Sequence, residues 1–199
     1  MVKTVAAVTL GCKVNQYDTE AMLEAFERHG YRIVPNGSPA DVYLVNTCTV
    51  TGTGDKKSLQ LIRRCRRRNP QADVVVTGCL AQRMGEQLRE TGARLILGTQ
   101  YRARVVELLE QAIAENIQMV AVEGIDNAPY EPLSIRSHEG HTRAVMKIQE
   151  GCDNHCTYCI IPSVRGGIRS RPLSAIAEEA AALAQAGFQE LVLTGIHLT

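Results

Sequence analysis

The amino-acid sequence predicts an α/β fold: a mostly parallel, Rossmann-like sheet with helices on both faces, followed by the start of a second α/β unit. Three observations carry this. Short, Val-rich runs alternate with stretches of helical periodicity along most of the 199 residues. Strands joined through helices in this way lie parallel and are buried on both faces. The composition, 45% apolar and 22% charged, is that of a globular chain and not of a disordered one.

The elements follow in order. Residues 2–10 (VKTVAAVTL) read as a first buried strand ending at Gly11. Residues 16–29 hold Met22, Leu23 and Phe26 at helical spacing, with Gly30 as the stop. A short strand is expected at 31–34 and a buried one at 41–46 (DVYLVN). Residues 55–69 read as a helix with Leu59, Ile62 and Cys65 on one face, most of its arginines around the rest, and Pro70 at the exit. Then come a strand at 73–77 (DVVVT), a helix at 82–91, a strand at 94–97, a helix at 101–115 and an edge strand at 119–122.

From about 126 to 141 the pattern changes. Pro129, Pro132, Ser134, Ser137 and Gly140 interrupt a stretch without periodicity, which reads as a linker. The expected organisation is therefore a first domain at 1–125, a linker at 126–141 and a second unit at 142–199. That unit opens with a strand at 144–148 (AVMKI) and a Cys-rich loop to about 172. A helix at 174–186 follows, with Ile176, Ala180, Leu183 and Ala184 on one face and Gly187 closing it, then a strand at 190–194 (ELVLT). One strand, one helix and one strand leave sheet edges uncovered, so the natural protein is expected to continue.

Charge and residue usage narrow the function. A net charge of +1 gives no global pull toward nucleic acid, so RNA affinity has to come from local patches. Arg63, Arg64, Arg66, Arg67 and Arg68 form one, although a basic helix face is usually just solvated. Two Phe, six Tyr and no Trp argue against a base-stacking platform. No apolar run approaches the length of a membrane span, and the N-terminal apolar stretch lacks a small-residue cleavage site, so a cytoplasmic setting is expected. Seven cysteines, an odd number, then argue for metal or redox chemistry over a disulfide framework.

Cys152, Cys156 and Cys159 lie in one short loop after a strand. Three thiolates this close can each hold one iron of a cubane, leaving the fourth iron open to a substrate or cofactor. The competing reading is a structural zinc site, for which His155 is the local fourth ligand. Cys12, Cys48 and Cys79 are far apart in sequence but share a setting, each one or two residues beyond an expected strand. Parallel strands end on one edge, where open α/β sheets place their ligands, so the three can meet there and hold a second cluster. Gly11 and Gly78 remove bulk where a cofactor must approach the backbone. The alternative is three ordinary buried cysteines. Cys65, mid-helix on the apolar face, reads as core.

The run GCDNHCTYCIIP, with GGIRSRP behind it, resembles the radical S-adenosylmethionine superfamily. LGCKVNQYDTE, NTCTVTGTGDKKS and TGCLAQ look like the three cysteine motifs of the methylthiotransferase N-terminal domain, and ELVLTGIHL like the start of the barrel behind it. The resemblance covers the whole chain and points to the radical S-adenosylmethionine methylthiotransferase family. The first two motifs are most like the branch that modifies N6-threonylcarbamoyladenosine beside the tRNA anticodon. Sister branches act on isopentenyladenosine in tRNA or on an aspartate of a ribosomal protein.

The resemblance implies two 4Fe–4S clusters, S-adenosyl-L-methionine, a tRNA substrate and an electron donor. Cys12, Cys48 and Cys79 would hold the auxiliary cluster and Cys152, Cys156 and Cys159 the radical one. Tyr158 would pack near the adenine of the cofactor, unless it is only a loop aromatic. Thr194 and Gly195 would lie at the C-terminal face of the barrel, where such active sites sit, with Gly195 letting backbone approach the cofactor. His197 at the same strand end reads as structural. Arg169 and Arg171 read equally as carboxylate holders or as a solvated basic loop. The family mechanism uses S-adenosylmethionine twice, once to methylate sulfur on the auxiliary cluster and once to generate the radical that activates C2 of the adenine. Family members continue through the barrel into an RNA-binding β-barrel, so these 199 residues alone are expected to be inactive. A non-catalytic iron–sulfur module and a zinc-bound RNA-interaction module are the readings from other classes; two sets of three cysteines, not four, argue against electron transfer alone.

Overall fold

Six segments pair in parallel: β1 (Thr4–Thr9), β2 (Arg32–Ile33), β3 (Val42–Thr47), β4 (Asp73–Gly78), β5 (Leu95–Leu97) and β6 (Met119–Ala121). Their order across the sheet is β2-β1-β3-β4-β5-β6. The structure is a computed structural model and describes residues 2–126, 128–136 and 142–198. Asn127 and residues 137–141 of the expected linker, with its Ser137 and Gly140, lie outside the described residues.

The central strand β3 is buried at all its positions, as a strand covered on both faces must be. Alternation then divides neighbours between two cores. Leu44 and Val75 face one, with Met22 and Phe26 of α1 (Lys13–Arg28) and Leu109 of α4 (Val105–Ala114). Tyr43, Val45, Val74 and Val76 face the other, with Ile62 and Cys65 of α2 (Gly52–Arg68) and Ala81 of α3 (Cys79–Met84). Cys65 is thus core, as expected. Burying a side chain such as Phe26 contributes roughly 1.5–3 kcal/mol, so α1 is held chiefly by its apolar stripe. Thr51 caps α2 by accepting from Gly54 N at 3.1 Å.

A second, two-stranded parallel sheet joins β7 (Arg143–Lys147) to β10 (Glu190–Thr194). Between them run β8 (Gln149–Glu150), α5 (Ile161–Arg165), β9 (Arg169–Ser170) and α6 (Leu173–Gln185). β8 and β9 pair antiparallel as a short clip. The third core joins this part to the first: Tyr17 and Ala21 of α1 pack with Leu133, Ile135, Ala144 and Leu183. The segment 128–136 forms no helix or strand, yet Leu133 and Ile135 are buried anchors. Among the described residues no helix is long and apolar enough to cross a membrane.

Three local expectations need correction. The helix expected at 82–91 begins at Cys79 and stops at Met84, where Gly85 has φ 48°, and a 3-10 helix then runs over Gly85–Thr91. The Cys-rich stretch is not a plain loop, since α5 and the β8–β9 clip lie within it. On α6, Ala184 is exposed and Glu179 is buried beside Leu183. Glu179 sits there because Arg171 pairs with it and Tyr17 Oη lies 3.0 Å from its Oε1.

Candidate metal centres at two neighbouring strand edges

The register pairs Thr9 with Asn46 and Thr47 with Gly78, so β1, β3 and β4 end side by side. Cys48 and Cys79 follow β3 and β4 directly and Cys12 stands three residues past β1: Cys12 is exposed, Cys48 half-buried and Cys79 buried. Gly11 and Gly78 carry φ of +106° and +93°, a region costly for any residue with a Cβ. A Cβ on Gly11 would lie 3.2 Å from Cys48 Sγ, and one on Gly78 would collide with Asn46 Oδ1 and Thr47 O. Cys79 then opens α3, and Cys12 is the N-cap of α1.

Asn15 in the first turn of α1 fixes this edge. Its Nδ2 donates to Leu10 O at 2.7 Å and to Thr47 O at 2.9 Å, the carbonyls leading into Gly11–Cys12 and into Cys48. Thr47 Oγ1 donates to Thr77 O at 2.5 Å, binding the ends of β3 and β4. Burial pushes the Cys79 thiol up; the Arg165 guanidinium opposes this, while the Cys48 and Cys12 thiols add to it. Cys12 and Cys48 therefore lie close enough to act on Cys79.

The second edge is built by the β7–β10 pair. Ile148 N donates to Thr194 O at 2.9 Å, which brings the end of β10 beside the start of the Cys152–Cys159 loop. The loop is clamped by the GGIRS run behind it. Cys152 N donates to Gly166 O at 3.0 Å and Ile168 N to Asp153 Oδ1 at 3.0 Å. Cys159 N closes a turn onto Cys156 O at 2.9 Å. Cys152 and Cys159 are half-buried, Cys156 is exposed, and Tyr158 is 91% exposed.

Thr194 is buried, and Gly195 is a glycine for a reason the sequence did not suggest. A Cβ there would come 2.6 Å from Leu198 Cδ2 and 2.8 Å from Gln149 Oε1. Gln149 is a missed residue: its Oε1 accepts from Ile196 N and His197 N at 2.7 and 2.9 Å, and its Nε2 donates to Gly151 O at 2.7 Å. It thus ties the turn after β10 to the start of the Cys loop. His197 Nε2 lies 3.2 Å from Asn154 Nδ2 in the Cys loop. Arg171 is neither solvated nor free, since it pairs with Glu179. Arg169 Nε is buried without a hydrogen-bond partner among the described residues, as is Asn46 Oδ1.

Between the two edges lies a buried ionic cluster. Arg102, Lys147 and Arg165 face Asp18, Glu150 and the more peripheral Glu131. Arg102 donates to Asp18, to Glu131 Oε2 at 2.7 Å and to Glu150 Oε2 at 2.9 Å. Lys147 Nζ bonds Asp18, lies 3.2 Å from Glu150 Oε2 and stands 5.7 Å from the Tyr17 ring centre. Burial works against the carboxylate of Glu150, but Arg102, Lys147 and Arg165 overcome it and hold the group well below the usual range. Burial likewise works against Arg102, and Asp18, Glu150 and Glu131 overcome it in turn. Sequence reading missed this cluster, although Lys147 and Glu150 in and beside a buried strand were a signal, because such residues go inside only when paired.

The residues fit the clusters that the sequence resemblance implies. Each edge offers three soft thiol donors, the donors iron–sulfur clusters take, and glycines hold the backbone clear at Gly11, Gly78 and Gly151. Among the described residues, no three His, Cys, Asp or Glu side chains are arranged to hold a single metal ion.

Two family models match the chain: Uncharacterized protein family UPF0004 over residues 4–98 and the Radical SAM superfamily over residues 146–198. The threonylcarbamoyladenosine tRNA methylthiotransferase MtaB of Bacillus subtilis (strain 168) is 47% identical over 98% of this chain and 44% of its own length. The protein of that name from Aquifex aeolicus (strain VF5) is 40% identical over 98% of this chain and 48% of its own. The ribosomal protein uS12 methylthiotransferase RimO of Myxococcus xanthus (strain DK1622) is 39% identical over 99% of this chain and 42% of its own. Among solved structures, the response regulator DrrB aligns at TM-score 0.44 and 11% identity, covering 59% of this chain and 55% of that one, too loosely to bear on fold or function. The chain spans about half the length of the curated relatives it matches. Over nearly its whole length the chain is thus similar to methylthiotransferases, with a UPF0004 match followed by a Radical SAM superfamily match.

Proposed function

We propose that this chain is part of a cytoplasmic tRNA methylthiotransferase that adds a methylthio group to C2 of N6-threonylcarbamoyladenosine beside the anticodon. The observation that carries the reading is the placement of Cys12, Cys48 and Cys79 at the ends of three adjacent parallel strands, bonded through Asn15 and Arg165 to the loop of Cys152, Cys156 and Cys159. On this reading each set of three holds a 4Fe–4S cluster with one iron left open. When bound, the clusters and S-adenosylmethionine supply reductive cleavage and the sulfur and methyl groups to be transferred.

The chain's own residues bind and orient. Gln149 holds the Thr194–Gly195 turn against the Cys loop, where the cofactor would lie, with Tyr158 near its adenine. Lys57, Arg63, Arg64 and Arg67 line a concavity with Leu10, next to Gly11 and Cys12, which suits the phosphates of tRNA passing that edge. Residues 1–125 act as the auxiliary-cluster domain, 126–141 as linker and 142–199 as the radical unit. Turnover, which needs an electron donor, is proposed of a whole protein and not of these residues alone.

The choice of nucleoside is supported by the relatives. Those named for threonylcarbamoyladenosine reach 47% identity, against 36% for a tRNA-2-methylthio-N(6)-dimethylallyladenosine synthase. Mass spectrometry of tRNA nucleosides from cells lacking the gene is the test. Loss of the methylthio form of N6-threonylcarbamoyladenosine supports the proposal. Loss of the dimethylallyl counterpart instead, or of methylthio-modified uS12, would replace the substrate.

A further inference from the structure

Arg165 is the residue at which the two cysteine edges meet. It ends α5, six positions beyond Cys159, and is 1% exposed. Its Nε donates to Cys79 Sγ at 3.3 Å. One terminal nitrogen donates to Glu150 Oε1 at 2.5 Å and the other to Asn15 Oδ1. Asn15 in turn holds the carbonyls of Leu10 and Thr47, so a single guanidinium references all three loops of the first edge. The next residue, Gly166, receives the amide of Cys152 through its carbonyl. The path from Cys79 Sγ to the backbone of Cys152 is thus one side chain, one peptide unit and two hydrogen bonds.

We propose that Arg165 is a positioning residue that fixes the auxiliary site relative to the radical loop and tunes the auxiliary cluster through its N–H···S bond to Cys79. This rests on the two-cluster reading above. The physics is that of an outer-shell donor. A hydrogen bond to a ligand sulfur, backed by a buried positive charge, favours the more negative, reduced state of a cluster and raises its potential. The guanidinium cannot turn away, because its other nitrogens are held by Glu150 and Asn15. A planar fork serving three partners in fixed directions is also what lysine cannot reproduce.

The test separates this from the reading beneath it. The chain is prepared as C152A/C156A/C159A, so that only the auxiliary site remains, and reconstituted anaerobically with ferrous iron and sulfide. Reduced cluster is followed by electron paramagnetic resonance through a redox titration, in parallel for R165, R165K and R165M. R165M is expected to bind iron yet to show a reduced-to-oxidised ratio roughly tenfold lower at a given potential, a shift of ~59 mV for one electron. R165K, which keeps the charge but not the three-way geometry, should fall between. Should R165M fail to fold, E150Q/R165M removes the matched carboxylate and is expected to shift the ratio in the same direction, by less than R165M because a buried negative charge leaves with the positive one. Equal midpoints in R165 and in R165M or E150Q/R165M, with equal iron, overturn the inference alone. No iron in the C152A/C156A/C159A parent would overturn the auxiliary site itself, and the inference with it.

Discussion

Replacing Asp18 by Asn tests whether the buried ionic cluster holds the two parts of the chain together. Asp18 is 2% exposed and accepts from Arg102 and Lys147, with Arg165 3.7 Å away. In the parent, three cations face three carboxylates. The amide keeps the shape but removes a charge and turns one of the two accepting oxygens into a donor facing a cation's N–H. Breaking a buried pair by removing one partner costs about 3–5 kcal/mol, because the remaining charge stays buried without compensation. For a chain of this size each kcal/mol moves the melting temperature by ~2–4 °C, so Asp18→Asn should melt roughly 6–20 °C below the parent. Calorimetry measures this directly. The double variant Asp18→Asn, Lys147→Met restores neutrality and should recover a large part of the loss, and the cycle gives the coupling between the two. A single variant within about 0.5 kcal/mol of the parent would refute the reasoning, since that is the range of an ordinary surface change.

The other expectations are smaller. Both the hydroxyl and the amide of Thr4 donate to Asp41 Oδ2 at 2.7 Å and hold its carboxyl below the ordinary range. That contribution is whole above about pH 3.9 and is lost as pH falls through the lower folded value, so Asp41→Asn should flatten the acid limb of a urea-unfolding series slightly, the group being exposed. Tyr17→Phe should cost about 1–3 kcal/mol in thermal unfolding, because Glu179 loses the hydroxyl 3.0 Å from its Oε1. Cys65→Ala should leave reconstituted iron content unchanged and cost on the order of 1 kcal/mol; loss of iron would show that Cys65 is a ligand after all. Changing Lys57, Arg63, Arg64 and Arg67 to Gln should weaken tRNA binding and lower its salt slope by roughly 0.7–0.9 per lost phosphate contact, with an unaltered circular dichroism spectrum.

The parallel sheet was legible because Val42–Val45 and Val74–Val76 are continuous apolar runs bounded by helical periods, and burial on both faces demands that pattern. The strand ends were legible too, since a cysteine just past each of β1, β3 and β4 needs only parallel pairing to bring it to a common edge. Periodicity failed where a single backbone conformation overrules it. Gly85 at φ 48° cuts one expected helix into an α-helix and a 3-10 helix, and Gly78 at φ +93° starts that helix at Cys79 itself. Residue type misled where a partner lies far off. Glu179 is buried because of Arg171 and Tyr17; it stands three residues after Ile176 and four before Leu183, on the apolar face, and only its charge argued against a core position.

Why the boundary between the two cysteine edges is ionic can be argued from what each kind of contact specifies. Apolar packing, as between Tyr17, Ala21, Leu133 and Leu183, is non-directional and tolerates a small slide. A guanidinium bonds in a plane and at set angles. Arg102 donates to three carboxylates contributed by α1, the 128–136 segment and β8, while Arg165 joins Cys79, Asn15 and Glu150. Two such forks sharing Glu150 leave little freedom for α1 to shift against β8. On the two-cluster reading proposed above, chemistry passing between groups held by Cys79 and by Cys152 would depend closely on their separation. The ionic cluster adds little net stability over a well-packed apolar interface, so its use lies in fixing that separation. Lysine in place of Arg102 would keep the charge and lose the fork. It should leave melting less disturbed than Asp18→Asn, yet broaden the distance distribution between spin labels placed on α1 and α5, and an unbroadened distribution would defeat this account.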